Sequence, residues 1–498
     1  MTSRSITEPG RASLRTWLGL AVLALPTLLL AMDITVLYLA APHLAASLRP
    51  TGTELLWIID GYGFLIAGFL VVMGNLGDRI GRRRLLLIGA TAFAVLSVAA
   101  AYAPTAEALI AARALLGIAG ATLMPSTLAL ISSLFGDPAQ RGMAIGIWAA
   151  CLSGGVALGP LVGGALLESW WWGSVFLIAV PVMGLLLVTA PWVLPEHRDP
   201  APGRIDLPSV GLSLAATLPA IYGIKMAVAG GEFLAGIVSI GAGIVFGVLF
   251  ARRQRGLENP LIDLRLFGER RFRAAMIVMT AGIAVTAGVY LFVTNYLQQV
   301  VKLSPLQAGL WLLPSSGAMI VTSVLGPALA RRFPAGRIVA VSLLVSAAGF
   351  AVLISSSATS GLPVVVLGIV IVYLGQGPIM ALSTDLIVGS APPRKAGAAS
   401  ALSETGTELG LALGVAILGS LGAALYRHQV GAHLPAGTAQ VARESHPETA
   451  AVAAELPPSI GADLLRVADA ATTSGLVSVA AIAAAVSAGL AVLAWRTG

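Results

Sequence analysis

The sequence predicts an all-α integral membrane protein, its 14 transmembrane helices forming two six-helix halves with two inserted helices between them. Three observations carry that prediction: a shortage of charge, a recurrence of long apolar runs, and a weak repeat of one basic turn. Of 498 residues 57% are hydrophobic and only 11% are charged, against roughly 25% charged in soluble chains. Mean hydropathy is +0.90. Apolar runs recur from Trp17 to Trp495, each long enough to cross a hydrocarbon core of about 30 Å. The first is too long for a cleavable leader, and Pro42-His43-Leu44 follows it rather than a small-residue cleavage site.

The runs fall near 17–39, 54–74, 85–104, 107–128, 142–164, 173–194, 207–228, 232–251, 274–296, 306–330, 337–357, 362–388, 396–425 and 472–495. An even count puts both termini on one side, and the basic residues choose the side. With the N-terminus cytoplasmic, 23 of the 30 Lys and Arg lie in inner segments, including Arg79, Arg82, Arg83, Arg84, Arg141 and seven arginines from Arg252 to Arg273. Five lie outside, and Arg113 and Lys225 fall within spans. A missed span would break the alternation downstream, and it holds to the end. The net charge of +7 therefore reads as membrane topology, not as a nucleic-acid surface. The lone Cys151 has no intrachain disulfide partner and reads as an inert core thiol.

Three segments are expected: a six-helix half over 1–195, an inserted pair over 196–255, and a second half over 256–498 with an outer loop at 427–470. Trp170-Trp171-Trp172 reads as an interfacial aromatic anchor and His43 as a solvated interfacial residue. In the outer loop Ile460, Leu464, Val467 and Ala468 share a helical face, which predicts a segment lying on the membrane surface. His428, His433 and His446 show no metal-ligand spacing.

The repeat joins two inner turns. Gly74-Asn75-Leu76-Gly77-Asp78-Arg79-Ile80-Gly81-Arg82-Arg83-Arg84 is echoed by Leu329-Ala330-Arg331-Arg332-Phe333-Pro334-Ala335-Gly336-Arg337. The two turns are eight spans apart, so spans seven and eight interrupt two parallel six-span halves.

These motifs carry a family resemblance. The first turn resembles the signature loop of the major facilitator superfamily, G-x-L-a-D-r-x-G-r-[rk], with Gly77 where alanine is usual. The resemblance implies a conformational-switch role for Gly74, Asp78, Arg79, Gly81 and Arg82. Physically, Asp78 can face a helix N-terminus and the arginines suit an anionic leaflet. The fifth span places Gly146, Gly155, Gly159-Pro160 and Gly163-Gly164 at every fixed position of the drug-antiporter signature G-x8-G-x3-G-P-x2-G-G. Small residues allow close helix approach, and proline bends the helix. Arg113-Ala114-Leu115-Leu116-Gly117 is similar to the family's R-x-x-q-G element, with Leu116 replacing the glutamine. Met32-Asp33-Ile34-Thr35-Val36 resembles the first-span element of fourteen-span drug/proton antiporters, with Tyr38 in place of an asparagine.

Charged residues inside spans point to ion or substrate paths. Residue counting puts Asp33, Asp60 and Arg113 at one depth, at about 1.5 Å of rise per residue. Arg113 would neutralise one carboxylate and leave the other to titrate or meet a cation; a purely structural ion pair is the alternative. In the thirteenth span Glu404 and Glu408 are one turn apart and share a face. Two carboxylates so close in low dielectric cannot both ionise cheaply, which suits proton carriage. Gly406 and Gly410 leave room for a helix or a ligand. Candidate cavity-lining groups are Tyr62, Trp148, Tyr290, Asn295, Gln298, Trp311 and Asp385.

No lysine follows a glycine, so the G-K-[ST] of a phosphate loop is missing. No cofactor is expected, and a proton gradient is the expected energy source. No enzymatic metal or diphosphate motif is present either. The resemblance thus implies a proton-coupled multidrug antiporter, monomeric, in a bacterial cytoplasmic membrane, exporting quaternary ammonium compounds, dyes and fluoroquinolones. Its partners would be lipophilic cations, protons and membrane lipids. Export of one endogenous metabolite, lipid or peptide uses the same motifs, and a non-transporting receptor is the reading from a different class.

Overall fold

The computed structural model describes residues 12–50, 52–196, 206–228, 233–257, 260–357, 361–391, 396–431 and 446–497. The side chains of Asp60, Pro160 and Lys225, and His433 altogether, lie outside the described residues. Among the described residues there is no strand; the α-helices are α1 (Leu14–Leu48), α2 (Gly52–Ile80), α3 (Arg82–Ala101), α4 (Ala106–Leu134), α5 (Pro138–Ser169), α6 (Ser174–Leu177), α7 (Ala179–Val193) and α8 (Leu207–Val228). They continue as α9 (Phe233–Gly256), α10 (Arg270–Asn295), α11 (Pro305–Leu329), α12 (Ala335–Ile354), α13 (Gly361–Gly389), α14 (Ala396–Gly431), α15 (His446–Glu455) and α16 (Pro458–Thr497). Among the described residues thirteen segments, α6 and α7 counting as one, are long and apolar enough to cross a membrane, and Leu207–Gly223 of α8 is a shorter apolar fourteenth.

Local chemistry starts several helices where the turns end. Thr105 accepts a hydrogen bond from the Ala108 N–H, and Asp137 accepts from Ala139 and Gln140 with Pro138 at the first helical position. Ser304 and Gln307 form a reciprocal capping box at α11.

Each half repeats one packing scheme. In the first, α1 packs on α5, α2 on α4, and α3 on α4 and α7. In the second, α10 packs on α14, α11 on α13, and α12 on α13 and α16. The halves meet through α2 with α14 and α5 with α11, a pair of contacts related by the same exchange. We call the end bearing Arg82–Arg84, Arg141 and Arg331–Arg337 the basic end.

The inserted α8 and α9 pack on each other, and α8 reaches α2 and α14. Polar groups staple the base of the pair. Arg253 donates to both Asp206 oxygens at 2.5 and 2.7 Å, and this guanidinium holds the Asp206 carboxyl well below the usual carboxylate range. The buried Gln254 amide donates to Ser209 Oγ at 2.7 Å and accepts the Leu261 N–H at 2.7 Å. Asn75, within the signature turn of α2, then donates to the Leu261 carbonyl at 3.0 Å. Gln254→Ala would strand the buried Leu261 N–H and is expected to cost about 1–3 kcal/mol, read as a lowered unfolding temperature of the purified protein.

The surface-lying segment is corrected. Residues 460–469 belong to α16, which runs unbroken from Pro458, well before the expected start at 472. Leu464 and Ala468 are buried against Tyr426, Val430 and Ala453, so their apolar face finds protein rather than bilayer. The outer loop shrinks accordingly: α14 continues to Gly431, and α15 packs on α16. His446 hydrogen-bonds Asp469 at 2.7 Å there.

Candidate functional site

Arg113 organises the first half. It lies on α4 and is 1% exposed. Its Nη1 donates to Asp33 Oδ2 on α1 at 2.6 Å and its Nε to the Ile58 carbonyl on α2 at 3.1 Å. The guanidinium also lies 4.4 Å from the centre of the Tyr62 ring and 5.8 Å from that of Phe176. A guanidinium stays charged in any protein setting, so its burial requires this carboxylate and these ring faces. Asp33 is the less enclosed partner, its side chain 13% exposed.

The glycine stripe of α5 explains how α1 is held. An added Cβ at Gly155 would meet the Leu28 carbonyl oxygen at 2.2 Å, at Gly159 the Thr35 hydroxyl at 1.9 Å, and at Gly163 Val36 Cγ1 at 3.0 Å. Thr35 is two residues from Asp33, so the stripe and the first-span motif are locked to each other. Gly146 faces elsewhere: its Cβ would meet the Ser323 carbonyl oxygen on α11 at 2.3 Å, across the two halves. Gly155→Ala is expected to push α1 from α5 and cost about 1–3 kcal/mol, seen as a lower unfolding temperature with reduced transport.

In the second half Glu404 is buried and Glu408 half-buried, both on α14. On the opposite side of α14, Cβ atoms at Gly406 and Gly410 would meet Thr280 Oγ1 at 3.0 Å and the Thr280 carbonyl oxygen at 2.6 Å. The room left by these glycines is therefore filled by helix α10. Positions two residues apart differ by about 200° around a helix, which turns the glutamates away from α10. Besides α10, helix α14 also packs on α2 and α4 of the first half. Tyr62 of α2, under the Arg113 guanidinium, lies on one of these first-half helices.

At the basic end the halves are fastened. Asp78 accepts from Arg82 Nε at 2.9 Å with one oxygen and from the Ala398 N–H, in the first turn of α14, at 3.3 Å with the other. The N-terminus of α14 thus carries a carboxylate from the other half, the favourable end for negative charge. Arg82 donates onward to the Ala129 carbonyl at 3.0 Å, and Gly81 has φ +109°, a region glycine enters without steric cost. Gly74 is buried and Arg79 half-buried beside them. A second fastening joins Arg141 of α5 to Asp385 of α13 at 2.9 Å.

The structure places the expected cavity-lining residues in different surroundings. Asp385 is the partner of Arg141. Tyr62 is 1% exposed and its ring face is taken by Arg113, while its hydroxyl is buried without a hydrogen bond among the described residues. Trp148 is fully buried, its indole N–H directed at Thr127. Trp311 sits on an exposed apolar stripe with Leu310, Val321 and Leu325, the pattern of a lipid-facing surface. Tyr290 pairs with Tyr373, their ring centres 6.4 Å apart, and with Val156, Leu161 and Leu312 lines a small cleft between α5 and α11. Asn295 ends α10, and Gln298 is exposed in the π-helical turn Tyr296–Val300. Gly164 of the stripe is half-buried. Sequence reasoning missed Arg141, counted only as topogenic, and also Asn75 and Glu196, whose sole signal was their place in or beside basic turns.

The family model for the Major Facilitator Superfamily matches residues 23–415. The chain belongs to the major facilitator superfamily. It is 45% identical to the multidrug efflux pump LfrA of Mycolicibacterium smegmatis, over 95% of this chain and 94% of the relative. It is 36% identical to the methyl viologen resistance protein SmvA of Salmonella typhimurium, over 91% and 92%. The solved structure of the human organic anion transporter MFSD10 superposes with a TM-score of 0.62 at 17% identity, covering 96% of this chain and 99% of that one, and shares the fold. This major facilitator is accordingly a multi-pass membrane transporter and not an enzyme. Its halves are closed on each other at the basic end by Asp78–Ala398 and Arg141–Asp385. Asp385→Asn is expected to shift this facilitator toward a state open at the basic end. Faster labelling of a cysteine introduced at Ala398, buried at the same seam beside Asp78, would report the shift, and unchanged labelling would count against it.

Proposed function

We propose that this facilitator is a proton-coupled drug antiporter that exports lipophilic cations, among them quaternary ammonium compounds, dyes such as ethidium and fluoroquinolones, across a bacterial cytoplasmic membrane. The observation that carries the reading is the buried Glu404, one turn from Glu408, on the side of α14 turned from α10, in a helix that also packs on α2 and α4 of the first half. Two further observations support it: the Asp33–Arg113 pair on the first-half side, and relatives whose names record multidrug efflux and methyl viologen resistance. Methyl viologen is a planar dication, a charge that two adjacent carboxylates complement.

The basic end is the cytoplasmic one in this reading, following the excess of arginine there, and both termini share it. One chain supplies both acidic sites, so a monomer suffices. With the basic end closed, protons entering from the far side neutralise the acidic groups and release the cation outward. When the basic end opens, the protons leave to the cytoplasm and the restored carboxylates accept a new cation. Each state thus carries proton or drug, and the proton gradient drives the cycle without a cofactor. Ethidium or tetraphenylphosphonium added to the purified protein in weakly buffered detergent should release protons. No release with either cation defeats the antiport reading and favours a dedicated substrate.

A further inference from the structure

The two halves treat one equivalent place differently. Helices α3 and α12 are both 20 residues long and follow the two echoed basic turns. In the first half the α3 N-terminus holds an anion of the chain itself. The Arg83 N–H donates to Glu196 Oε1 at 3.1 Å, the Arg83 guanidinium lies 3.7 Å from Glu196 Oε2, and Gly81 sits against the same carboxylate. Arg82 fills the space beneath, reaching the Ala129 carbonyl of α4.

Matching the helix starts places Ala335, Gly336 and Arg337 where Arg82, Arg83 and Arg84 stand. Truncating the first two side chains leaves a cavity of about 280 Å3 between α10, α12, α13 and α16. Pro334 precedes α12 and no side chain caps the helix, so the N–H groups of Ala335 and Gly336 carry their partial positive charge unanswered. Arg271, exposed at the cavity wall, pairs with no carboxylate among the described residues. Ser383, also in the wall, is 1% exposed and has no hydrogen-bond partner among the described residues. The Gly336 N–H is the counterpart of the Arg83 N–H that Glu196 accepts in the first half, and no side chain caps it here.

We propose that the phosphate of an anionic phospholipid occupies this cavity, in the leaflet at the basic end. The phosphate would take the N–H groups of Ala335 and Gly336, the Arg271 guanidinium and the Ser383 hydroxyl, a donor set suited to phosphate oxygens. The remaining wall is apolar, with Ala274, Ala275, Val278, Val339 and Leu386. A bare phosphate has the bulk of a few waters at about 30 Å3 each, so it would leave most of the cavity empty. A glycerophosphate with its first methylenes uses both the polar floor and the apolar wall, as basic pockets between spanning helices do.

Native mass spectrometry of the delipidated full-length protein, titrated with phosphatidylglycerol or phosphatidylcholine of the same chains, tests the proposal. Phosphatidylglycerol should be retained about tenfold more strongly, and Arg271→Gln should remove about tenfold of that retention, one charge-assisted bond. Ala335→Glu places a carboxylate in the first turn of α12, where it suits the helix. It should abolish the preference while leaving the unfolding temperature unchanged or raised. Equal retention of the two lipids overturns the proposal, as does wild-type preference in both variants. Displacement of phosphatidylglycerol by millimolar inorganic phosphate overturns the lipid assignment in favour of a soluble anion.

Discussion

Asp33→Asn is expected to abolish uphill, proton-driven export of every substrate while leaving downhill counterflow measurable. The substitution keeps the shape and a hydrogen-bond acceptor for Arg113 Nη1, which Asp33 now receives at 2.6 Å. It removes the carboxylate that pairs with that guanidinium among the described residues. Arg113 is 1% exposed, and an unpaired charge at such depth costs about 3–5 kcal/mol. The loss is therefore expected in two readouts: a lower unfolding temperature and no substrate accumulation in proteoliposomes under an imposed pH gradient. Counterflow, which needs binding and alternation but no proton, separates the coupling role from simple misfolding. Uphill transport by the folded variant at wild-type rate would refute the assignment.

The second large effect is a split between charge classes. Glu408→Gln, or Glu404→Gln, should weaken methyl viologen export far more than ethidium export. A monocation is neutralised by the remaining carboxylate; a dication is not. At about 6 Å and an effective dielectric of about 20, one carboxylate–cation pair is worth about 3 kcal/mol, or roughly a hundredfold in KM. The KM for the dication should rise by that order, with the monocation changed only a few-fold. Equal losses for both would assign the pair to proton carriage alone, and wild-type values for both would make it structural. The residues share a face of α14 opposite the side that packs on α10 at Gly406 and Gly410, so a neutral isostere leaves the helix packing intact.

Much of this molecule is legible in one dimension. Hydropathy and the basic turns predict fourteen spans in order, because span length and arginine placement are properties of consecutive residues. The helix starts at Thr105, Asp137 and Ser304, which hydropathy alone places only to within a few residues, follow local capping chemistry. Depth counting places Asp33 level with Arg113, and the structure puts them in contact. The amphipathic face at Leu464 and Ala468 shows where that approach stops: periodicity predicts a buried side, but not whether lipid or protein buries it. Tyr62 and Trp148 illustrate the same limit, since an aromatic face within a span looks alike whether a cavity, an arginine or a neighbouring helix covers it.

By itself, the sequence determined the membrane-spanning class, the two interrupted halves, the acidic positions within spans and the motifs that mark the superfamily. Only the tertiary structure decided which partners those positions meet. It joined Arg141 to Asp385 and Asp78 to the start of α14, across 244 and 320 residues. It also showed that one basic turn answers its helix N-terminus with Glu196 while its echo leaves a cavity. The reason is geometric. Spacing along one helix determines which residues share a face, but the facing partner depends on how helices distant in the chain pack side by side.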